Sequence, residues 1–306
     1  MSSMPDDPTS ELESPAYQPP DLHDAQVVID LFRQATRQNL DNPYRKGSCC
    51  HLPARGRLLM TGDLHDHLLN YQRIVKLADL DADKDNMVVL HEVIHGEHKL
   101  NGRDHSIRML SRVAALVTRY PGQVHVMLGN HELAQLTGAE ILKGGHSSVS
   151  MFDEGLDFMF DEDADGVRQA MQEFMRSMLL AVRCPNGVFC SHSLPSPYAL
   201  DDFDPGIIDR VPTDEELEHG GSAYSLVWGR NHTEELAEDL AEDWDTSLFI
   251  VGHQPVDTGY DLEGKSMIIL NSDDDHGAAL PIDLARQYPN RAALVDEIVP
   301  LAAIVV

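Results

Sequence analysis

Short apolar runs that alternate with segments of helical spacing constrain the fold of this sequence most. Residues 57–60, 87–90 and 124–128 are such runs, and the segments between them, the second at 104–120, have helical spacing. The order strand, helix, strand, helix, strand predicts an α/β fold of βαβ units. Loops at the carboxyl ends of such strands meet at one edge of the sheet, so we expect the functional site there.

The second half of the sequence continues this pattern after an interruption. Residues 133–182 are predicted to be largely helical, and we interpret them as a helical cap inserted into the domain. An amphipathic stripe in this stretch is expected to pack in the core rather than to bind a ligand: Val167, Met171, Phe174, Met178 and Val182. Apolar runs then return at 187–190, 247–251, 267–270 and 278–282. The sequence thus predicts one domain over residues 23–306.

The N-terminal residues differ in composition from the rest of the chain. Residues 1–22 contain five prolines among serine and acidic residues, which predicts a disordered tail. A helix capped by Asp24 is predicted at 24–39. No apolar leader precedes the domain and no run approaches the length of a membrane span, so we expect a cytoplasmic protein whose four cysteines are reduced.

The strong negative charge of the chain excludes several classes of partner. The 306 residues include 23 basic and 51 acidic side chains, which gives a formal charge of −28. Nucleic-acid binding requires clustered lysine and arginine side chains, and anionic membranes attract basic segments. We therefore expect no nucleic-acid or membrane partner, whereas a few arginines suffice to hold a small phosphate.

Residues with metal-binding atoms follow five of the apolar runs: Asp63 with His65, Glu92, Asn130 with His131, His192, and His253. Carboxylate and amide oxygens mixed with imidazole nitrogens suit manganese, iron or zinc. A carboxylate can bridge two such ions, and two neighbouring ions can clamp a phosphoryl group and activate a water molecule. The sequence therefore predicts a site for two divalent metal ions.

The same residues resemble the motifs of the calcineurin-like metallophosphoesterases, most closely those of the phosphoprotein (serine/threonine) phosphatases. The Gly-Asp-Leu-His sequence at 62–65 and the Gly-Asn-His-Glu sequence at 129–132 resemble two family motifs, and Ser191-His192 and Gly252-His253 resemble two others in the family order. The resemblance implies a four-layer fold with a central β-sandwich flanked by helices. It also implies hydrolysis of phosphate monoesters by a hydroxide that bridges two metal ions.

The resemblance also assigns roles to individual side chains. It implies that seven contacts from six residues hold the metal ions, the first ion at Asp63, His65 and Glu92 and the second at Glu92, Asn130, His192 and His253. His131 would be the general acid that protonates the leaving oxygen, a role that suits an imidazole near neutral pH. Arg230, which follows a tryptophan and a glycine, would bind the phosphate, and Arg103 is a second candidate for this role.

The second family motif departs from its usual pattern in this chain. Glu92 stands where the family has the aspartate that bridges the two ions, and His95 stands where an aspartate orients the general acid. Gly96 stands where the family has a phosphate-binding arginine, and Asp66 replaces a glycine near the first motif. The sequence leaves two alternatives for His95: it supports the site residues or contacts the substrate, or it lies at the surface. Three other histidines near this motif are expected at the surface: His91, His98 and His105.

Three alternative functions follow from particular residues. The same chemistry on a nucleotide, such as a dinucleoside polyphosphate, is one alternative. A catalytically impaired metal-binding protein is the second, because of the departures at Glu92, His95 and Gly96. A calcium-responsive protein is the third, since the acidic stretch at 81–92 has the spacing of an EF-hand loop and ends in Glu92, although Asn86 occupies the position of the required glycine.

Overall fold

The computed structural model describes residues 20–97, 99–139, 142, 143 and 146–306. The tail predicted for residues 1–22 lies outside the described residues except for its last three, and His98 also lies outside them. Within the described ranges, no helix is both long and apolar enough to cross a membrane.

The described chain is built from short strands and ten α-helices. In chain order the strands are β1 Arg45–Lys46, β2 Cys49–His51, β3 Arg57–Thr61, β4 Asn86–His91, β5 Val124–Met127, β6 Leu142–Lys143, β7 His146–Ser147, β8 Ala181–Arg183, β9 Val188–Ser191, β10 Leu248–Val251, β11 Tyr260–Glu263, β12 Met267–Leu270, β13 Ala278–Asp283 and β14 Val299–Pro300. The helices are α1 Ala25–Leu40, α2 Leu68–Ala78, α3 Ile107–Arg119, α4 Asn130–Thr137, α5 Ser148–Phe160, α6 Ala164–Arg176, α7 Asp214–Leu217, α8 Ser222–Trp228, α9 Glu234–Asp243 and α10 Ala292–Val295. Short 3₁₀ helices lie at Asp161–Asp163, Pro197–Asp202, Pro205–Asp209 and Leu301–Ala303.

The three predicted strands of the first half form one side of a five-stranded sheet. Its order is β14-β13-β3-β4-β5, and β3, β4 and β5 are parallel. Helices α2 and α3 connect them, as parallel neighbours require a crossover. Strands β13 and β14 extend the sheet with antiparallel pairing. The predicted βαβ order is confirmed.

The strands of the second half form a seven-stranded sheet with the order β1-β2-β8-β9-β10-β12-β11. Strands β9, β10 and β12 at its centre are parallel, so their carboxyl ends point the same way. Four strands of this sheet, β1, β2, β8 and β11, are absent from the sequence prediction. They have two to four residues each, and such short strands leave no clear hydrophobic period in the sequence.

The two sheets pack face to face. Successive side chains of a strand point to opposite faces of its sheet, so a residue's odd or even position in the strand, its parity, decides whether its side chain lies between the sheets. One buried cluster contains alternate residues of both sheets: Leu58 and Met60 of β3, Met87 and Val89 of β4, Val188 and Cys190 of β9, and Leu248 and Ile250 of β10. Residues of opposite parity, such as Leu59, Val88 and Phe249, belong to the core beneath the helices. The helix-flanked β-sandwich that the resemblance implied is confirmed.

The described residues of the predicted insertion are largely helical, and α6 packs against α1. Val167, Met171 and Phe174 are buried on α6, and the ring centroid of Phe174 lies 5.5 Å from that of Phe32 in α1. These residues pack in the core, as expected. Val182 does not belong to this stripe, because it lies in β8. A buried residue of a short strand can match the helical spacing by chance.

Two smaller expectations concern α1 and the cysteines. Asp24 caps α1 as predicted, since its carboxylate accepts a hydrogen bond from the backbone N–H of Val27 at 3.1 Å. All four cysteines are free and buried.

The acidic stretch at 81–92 does not form a calcium loop. Strand β4 begins at Asn86 and ends at His91, so the second half of the stretch is paired in the sheet. An EF-hand uses those same positions as loop ligands. The calcium-responsive alternative is therefore wrong, and Glu92 belongs to the site described next.

Candidate metal centre

The carboxyl ends of the two sheets meet at one edge of the sandwich. Asp63 follows β3 and forms isolated parallel bridges both with His91 at the end of β4 and with Asn271 just after β12. These bridges join the first sheet to the second. The loops after β3, β4, β5, β9 and β10 consequently converge, and all six predicted ligands lie within these loops or at the start of α4.

Four of these side chains converge on one point. The Oδ1 atom of Asn130 lies 2.7 Å from Nδ1 of His253 and 3.0 Å from Nε2 of His192. The Oε2 atom of Glu92 lies 3.7 Å from the same Nε2 of His192. This group is the predicted ligand set of the second metal ion.

A second group of ligand atoms surrounds the other oxygen of Glu92. Its Oε1 atom lies 4.0 Å from Nε2 of His65 and 3.6 Å from Nε2 of His131. Asp63 lies beside the first of these groups, with Oδ1 3.7 Å from Nδ1 of His192. The structure therefore places Glu92 between the two groups, where a bridging carboxylate has to lie.

The backbone of the site is held in an uncommon conformation. Five of the ten non-glycine residues with positive φ in the described chain lie here, namely His65, Asp66, Glu92, His95 and His253, with φ between 42° and 66°. A side chain in the left-handed region costs of order 1 kcal/mol or more. Such a concentration of unfavourable backbone geometry is typical of functional sites, where the surrounding structure holds side chains in a required direction.

Burial disfavours the charged form of the carboxylates in this site. Desolvation by burial is the main cause that raises the pKa of Asp63 to about 7 and raises the pKa of Glu92 well above its usual range. Glu132 and Asp63 add like-charge repulsion at Glu92. Desolvation likewise lowers the pKa of His253 to about 3 and lowers that of His192, so both rings are neutral at pH 7.

These features together fit divalent cations. Neither of the two nearly buried carboxylates forms an ion pair with a lysine or arginine among the described residues, and the partners within 4.0 Å that could carry a positive charge are histidines. Neutral imidazole and ionised carboxylate are the forms that bind metals. A cation would offset the cost of burying the carboxylate charges. The residues present therefore fit the predicted pair of metal ions.

His131 lies beside this centre and is held from behind by His95. The Nδ1 atoms of the two rings are 3.0 Å apart, and Nε2 of His95 lies 3.2 Å from Oε1 of Gln135. The amide oxygen only accepts, so the Nε2–H of His95 donates to it, and the Nδ1 of a neutral His95 accepts the N–H of His131. His95 thus takes the place of the orienting aspartate, with a neutral ring instead of a carboxylate.

Glu132 is completely buried beside Glu92, and it organises the loop after β4. Its Oε1 atom accepts hydrogen bonds from the backbone N–H groups of Val93 at 2.8 Å and Ile94 at 3.2 Å. The loop that carries both Glu92 and His95 is therefore fixed to the start of α4.

A cavity of about 490 Å³ opens over the site, and it is lined by acidic side chains, by His65, His131 and His253 of the centre, and by Arg230. Arg230 forms no ion pair within the described ranges, and its backbone N–H donates to Ser196 at 2.8 Å. Arg103 does not line this cavity, because its guanidinium lies over the ring of Phe158 at 4.7 Å. The two arginine candidates are thus separated, and only Arg230 faces the site.

The missing arginine at Gly96 has a steric reason. A Cβ atom at this position would lie 2.5 Å from the carbonyl oxygen of His65 and 2.7 Å from Cβ of Asp66. This backbone therefore excludes any side chain at position 96. The phosphate-binding group that the family pattern places here has no room in this chain.

Sequence reasoning misplaced two histidines and missed one glutamine. His91 is fully buried, and His105 is only 9% exposed. The parity of β4 would have located His91, because it shares a strand face with Met87 and Val89, which lie between the sheets. The role of Gln135 follows only from the turn of α4 that brings it to His95, and no sequence signal indicates it.

Comparison with known proteins agrees with this geometry. Residues 56–278 match the model of the calcineurin-like phosphoesterase family. A probable serine/threonine-protein phosphatase of Encephalitozoon cuniculi is 26% identical over 310 residues, which cover 92% of this chain and 62% of that protein. This chain therefore spans less than two thirds of that relative's length.

Solved structures show the same fold at low sequence identity. A protein serine/threonine phosphatase from Saccharomyces cerevisiae with similarity to human phosphatase PP5 superposes with a TM-score of 0.61 over 94% of both chains, at 13% identity. A cold-active protein-tyrosine phosphatase from a Shewanella species superposes with a TM-score of 0.52 over 79% of both chains, at 16% identity. The family match covers most of the chain, and this protein belongs to the calcineurin-like phosphoesterase family.

Proposed function

We propose that this protein is a metal-dependent hydrolase of phosphate monoesters. The observation that carries the proposal is the convergence of six ligand side chains, from five separate strand ends, beside a histidine that is held in a fixed orientation. Asp63, His65 and Glu92 would hold one divalent ion. Four side chains would hold the other: Glu92, Asn130, His192 and His253. The mixture of oxygen and nitrogen donors favours manganese, iron or zinc.

The chain's own residues provide the remaining chemistry. When bound, two divalent ions supply polarisation of the phosphoryl group and activation of a water molecule. Arg230 binds the phosphate oxygens from the cavity wall. His131, whose Nδ1 is engaged by His95, directs Nε2 towards the centre, 3.6 Å from Glu92, and there it protonates the leaving oxygen.

The substrate class rests on the relatives. Two of the similar proteins are described as serine/threonine phosphatases, which supports a phosphorylated serine or threonine side chain as substrate. The free, buried cysteines support a reducing, cytoplasmic location.

A metal-by-substrate matrix tests the proposal. Metal-free protein is reconstituted with Mn²⁺, Fe²⁺ or Zn²⁺ and assayed with an aryl phosphate, a phosphoserine peptide and a dinucleoside polyphosphate. We expect hydrolysis of the first two. Exclusive hydrolysis of the third would support the nucleotide alternative, and metal binding without any hydrolysis would support the impaired protein.

The role of His131 is tested separately. His131→Ala should lower turnover of the phosphoserine peptide by about 10²- to 10⁴-fold, the usual contribution of a general acid, while metal content stays unchanged. His23→Ala, at an exposed histidine remote from the cavity, is the matched control. Equal turnover of His131→Ala and the control would refute the role.

A further inference from the structure

His91 contacts one of the predicted metal ligands, His192, from within the sandwich. It is fully buried, and its Nδ1 atom lies 2.9 Å from Nδ1 of His192. Its Nε2 atom lies 2.8 Å from the carbonyl oxygen of Thr61. The two rings meet edge to face, with centroids 5.2 Å apart and planes at 80°.

These two distances determine the positions of the protons. A carbonyl oxygen only accepts hydrogen bonds, so Nε2 of His91 carries a proton and donates it to Thr61. Burial favours the uncharged ring, which leaves Nδ1 of His91 without a proton. Two bare nitrogens at 2.9 Å would repel, so the proton between the rings belongs to Nδ1 of His192.

The free nitrogen of His192 then faces the ligand group. With its proton on Nδ1, a neutral His192 has its lone pair on Nε2, the atom that lies 3.0 Å from Oδ1 of Asn130 and 3.7 Å from Oε2 of Glu92. We propose that His91 is a positioning residue that holds His192 in the tautomer and orientation in which Nε2 binds the second metal ion. The inference rests on the proposed function, because it takes His192 as a ligand.

The packing around His91 fixes the ring that accepts this hydrogen bond. A Cβ atom added at Gly252 would lie 2.7 Å from Cε1 of His91, so the imidazole fills the space that this glycine leaves open. Metal-binding histidines usually donate their second N–H to a carboxylate, a carbonyl or water. Here a second imidazole, itself anchored on Thr61, accepts it.

Direct coordination by His91 is the competing arrangement. Ligand atoms of Asp63, His91 and His192 lie within 4.8 Å of one another. An ion held there would bind Nδ1 of His192, so the proton of that ring would move to Nε2. The two arrangements thus predict opposite tautomers of His192.

Nitrogen NMR of the full chain loaded with diamagnetic Zn²⁺ distinguishes them. Long-range proton–nitrogen correlations of the histidine rings separate protonated from bare or metal-bound nitrogens, and His192→Asn provides the assignment. We expect Nδ1 of His192 to be protonated and Nε2 to be bound to zinc. Zinc on Nδ1, with the proton on Nε2, would overturn the inference.

Two variants of His91 provide a second measurement. His91→Asn places an amide oxygen near the former Nδ1 and keeps an acceptor for His192, whereas His91→Leu has no acceptor. Both lose the contact with Thr61, so their comparison isolates the hydrogen bond to His192. We expect His91→Leu to bind the second Zn²⁺ about 10- to 100-fold more weakly, as is usual for loss of a partner behind a ligand.

His91→Asn should retain a zinc affinity close to that of the wild-type protein. Equal zinc affinities of the two variants would contradict the inference, and if His91→Leu does not fold, the tautomer in the wild-type protein decides. Failure of the wild-type protein to bind any of Mn²⁺, Fe²⁺ and Zn²⁺ would refute the proposed function. Zinc binding with the opposite tautomer would refute only the role of His91.

Discussion

Removal of the charge of Asp63 should stabilise the metal-free protein. Asp63 accepts the backbone N–H of His253 at 2.9 Å and 3.1 Å through its two oxygens. Asp63→Asn retains the shape of the side chain and one accepting oxygen, but it carries no charge at any pH. The substitution therefore tests whether this buried carboxylate is unfavourable until a cation binds.

The expected magnitude follows from the pKa. Burial raises the pKa of Asp63 from 3.8 to about 7 in the folded protein. At about 1.36 kcal/mol for each pH unit, this difference corresponds to about 4 kcal/mol. Because the folded pKa lies above the unfolded one, the wild-type protein loses this stability as the pH rises from about 4 to about 7. The side chain is 12% exposed, so solvent screens the effect only weakly.

Urea denaturation of metal-free protein at pH 5 and pH 8 measures this difference. We expect Asp63→Asn to exceed the wild-type free energy of unfolding by about 4 kcal/mol at pH 8 and by about 1.6 kcal/mol at pH 5. Asp239→Asn, at an exposed position on α9, is the matched control and should change little at either pH. Saturating Mn²⁺ should stabilise the wild-type protein more than Asp63→Asn.

A single outcome would refute the reasoning. If Asp63→Asn is no more stable than the wild-type protein at pH 8, burial of the charged carboxylate does not destabilise the metal-free protein. Burial of Asp63 would then give the site no energetic requirement for a cation.

Two further predictions concern the loop after β4 and the phosphate contact. Glu132→Ala leaves two buried backbone N–H groups without their acceptor, so it should lower the free energy of unfolding by about 2 kcal/mol or more. Glu132→Gln keeps an accepting oxygen and should lower the free energy of unfolding less. Equal losses for the two variants in urea denaturation would contradict the role of Glu132 in holding this loop. Arg230→Ala should lower kcat/KM about 10- to 100-fold, since a hydrogen bond to a charged group contributes about 1.5–3 kcal/mol. Arg103→Ala should lower it less, because Arg103 does not line the cavity, and the reverse order in steady-state kinetics would assign the phosphate contact to Arg103.

Local sequence information indicated the candidate ligands but not every neighbour of these residues. Asp63, Glu92 and His192 each lie two or three residues after an apolar run, and a strand end is a local feature that a single run of residues indicates. Arg103 was a candidate because it is close in sequence to Glu92. The structure turns its side chain onto Phe158, and sequence distance does not reveal that direction.

The burial of His91 was also not predicted from the sequence. Its polarity suggested the surface, but β4 continues through it, and its parity with Val89 places its ring between the sheets. A polar residue can be buried there because Thr61 and His192 satisfy both of its ring nitrogens. Those partners are 30 and 101 residues away in sequence.

The sequence by itself determined the α/β order, the strand ends that carry metal-binding atoms and the family motifs, since each depends on residues that are near one another along the chain. Only the tertiary structure decided which arginine faces the cavity, why position 96 admits no side chain, and which groups hold His131 and His192 in place. These outcomes depend on contacts between the two sheets and on strand register. Neither leaves a local pattern, because the partners of each contact are fixed only when the sandwich closes.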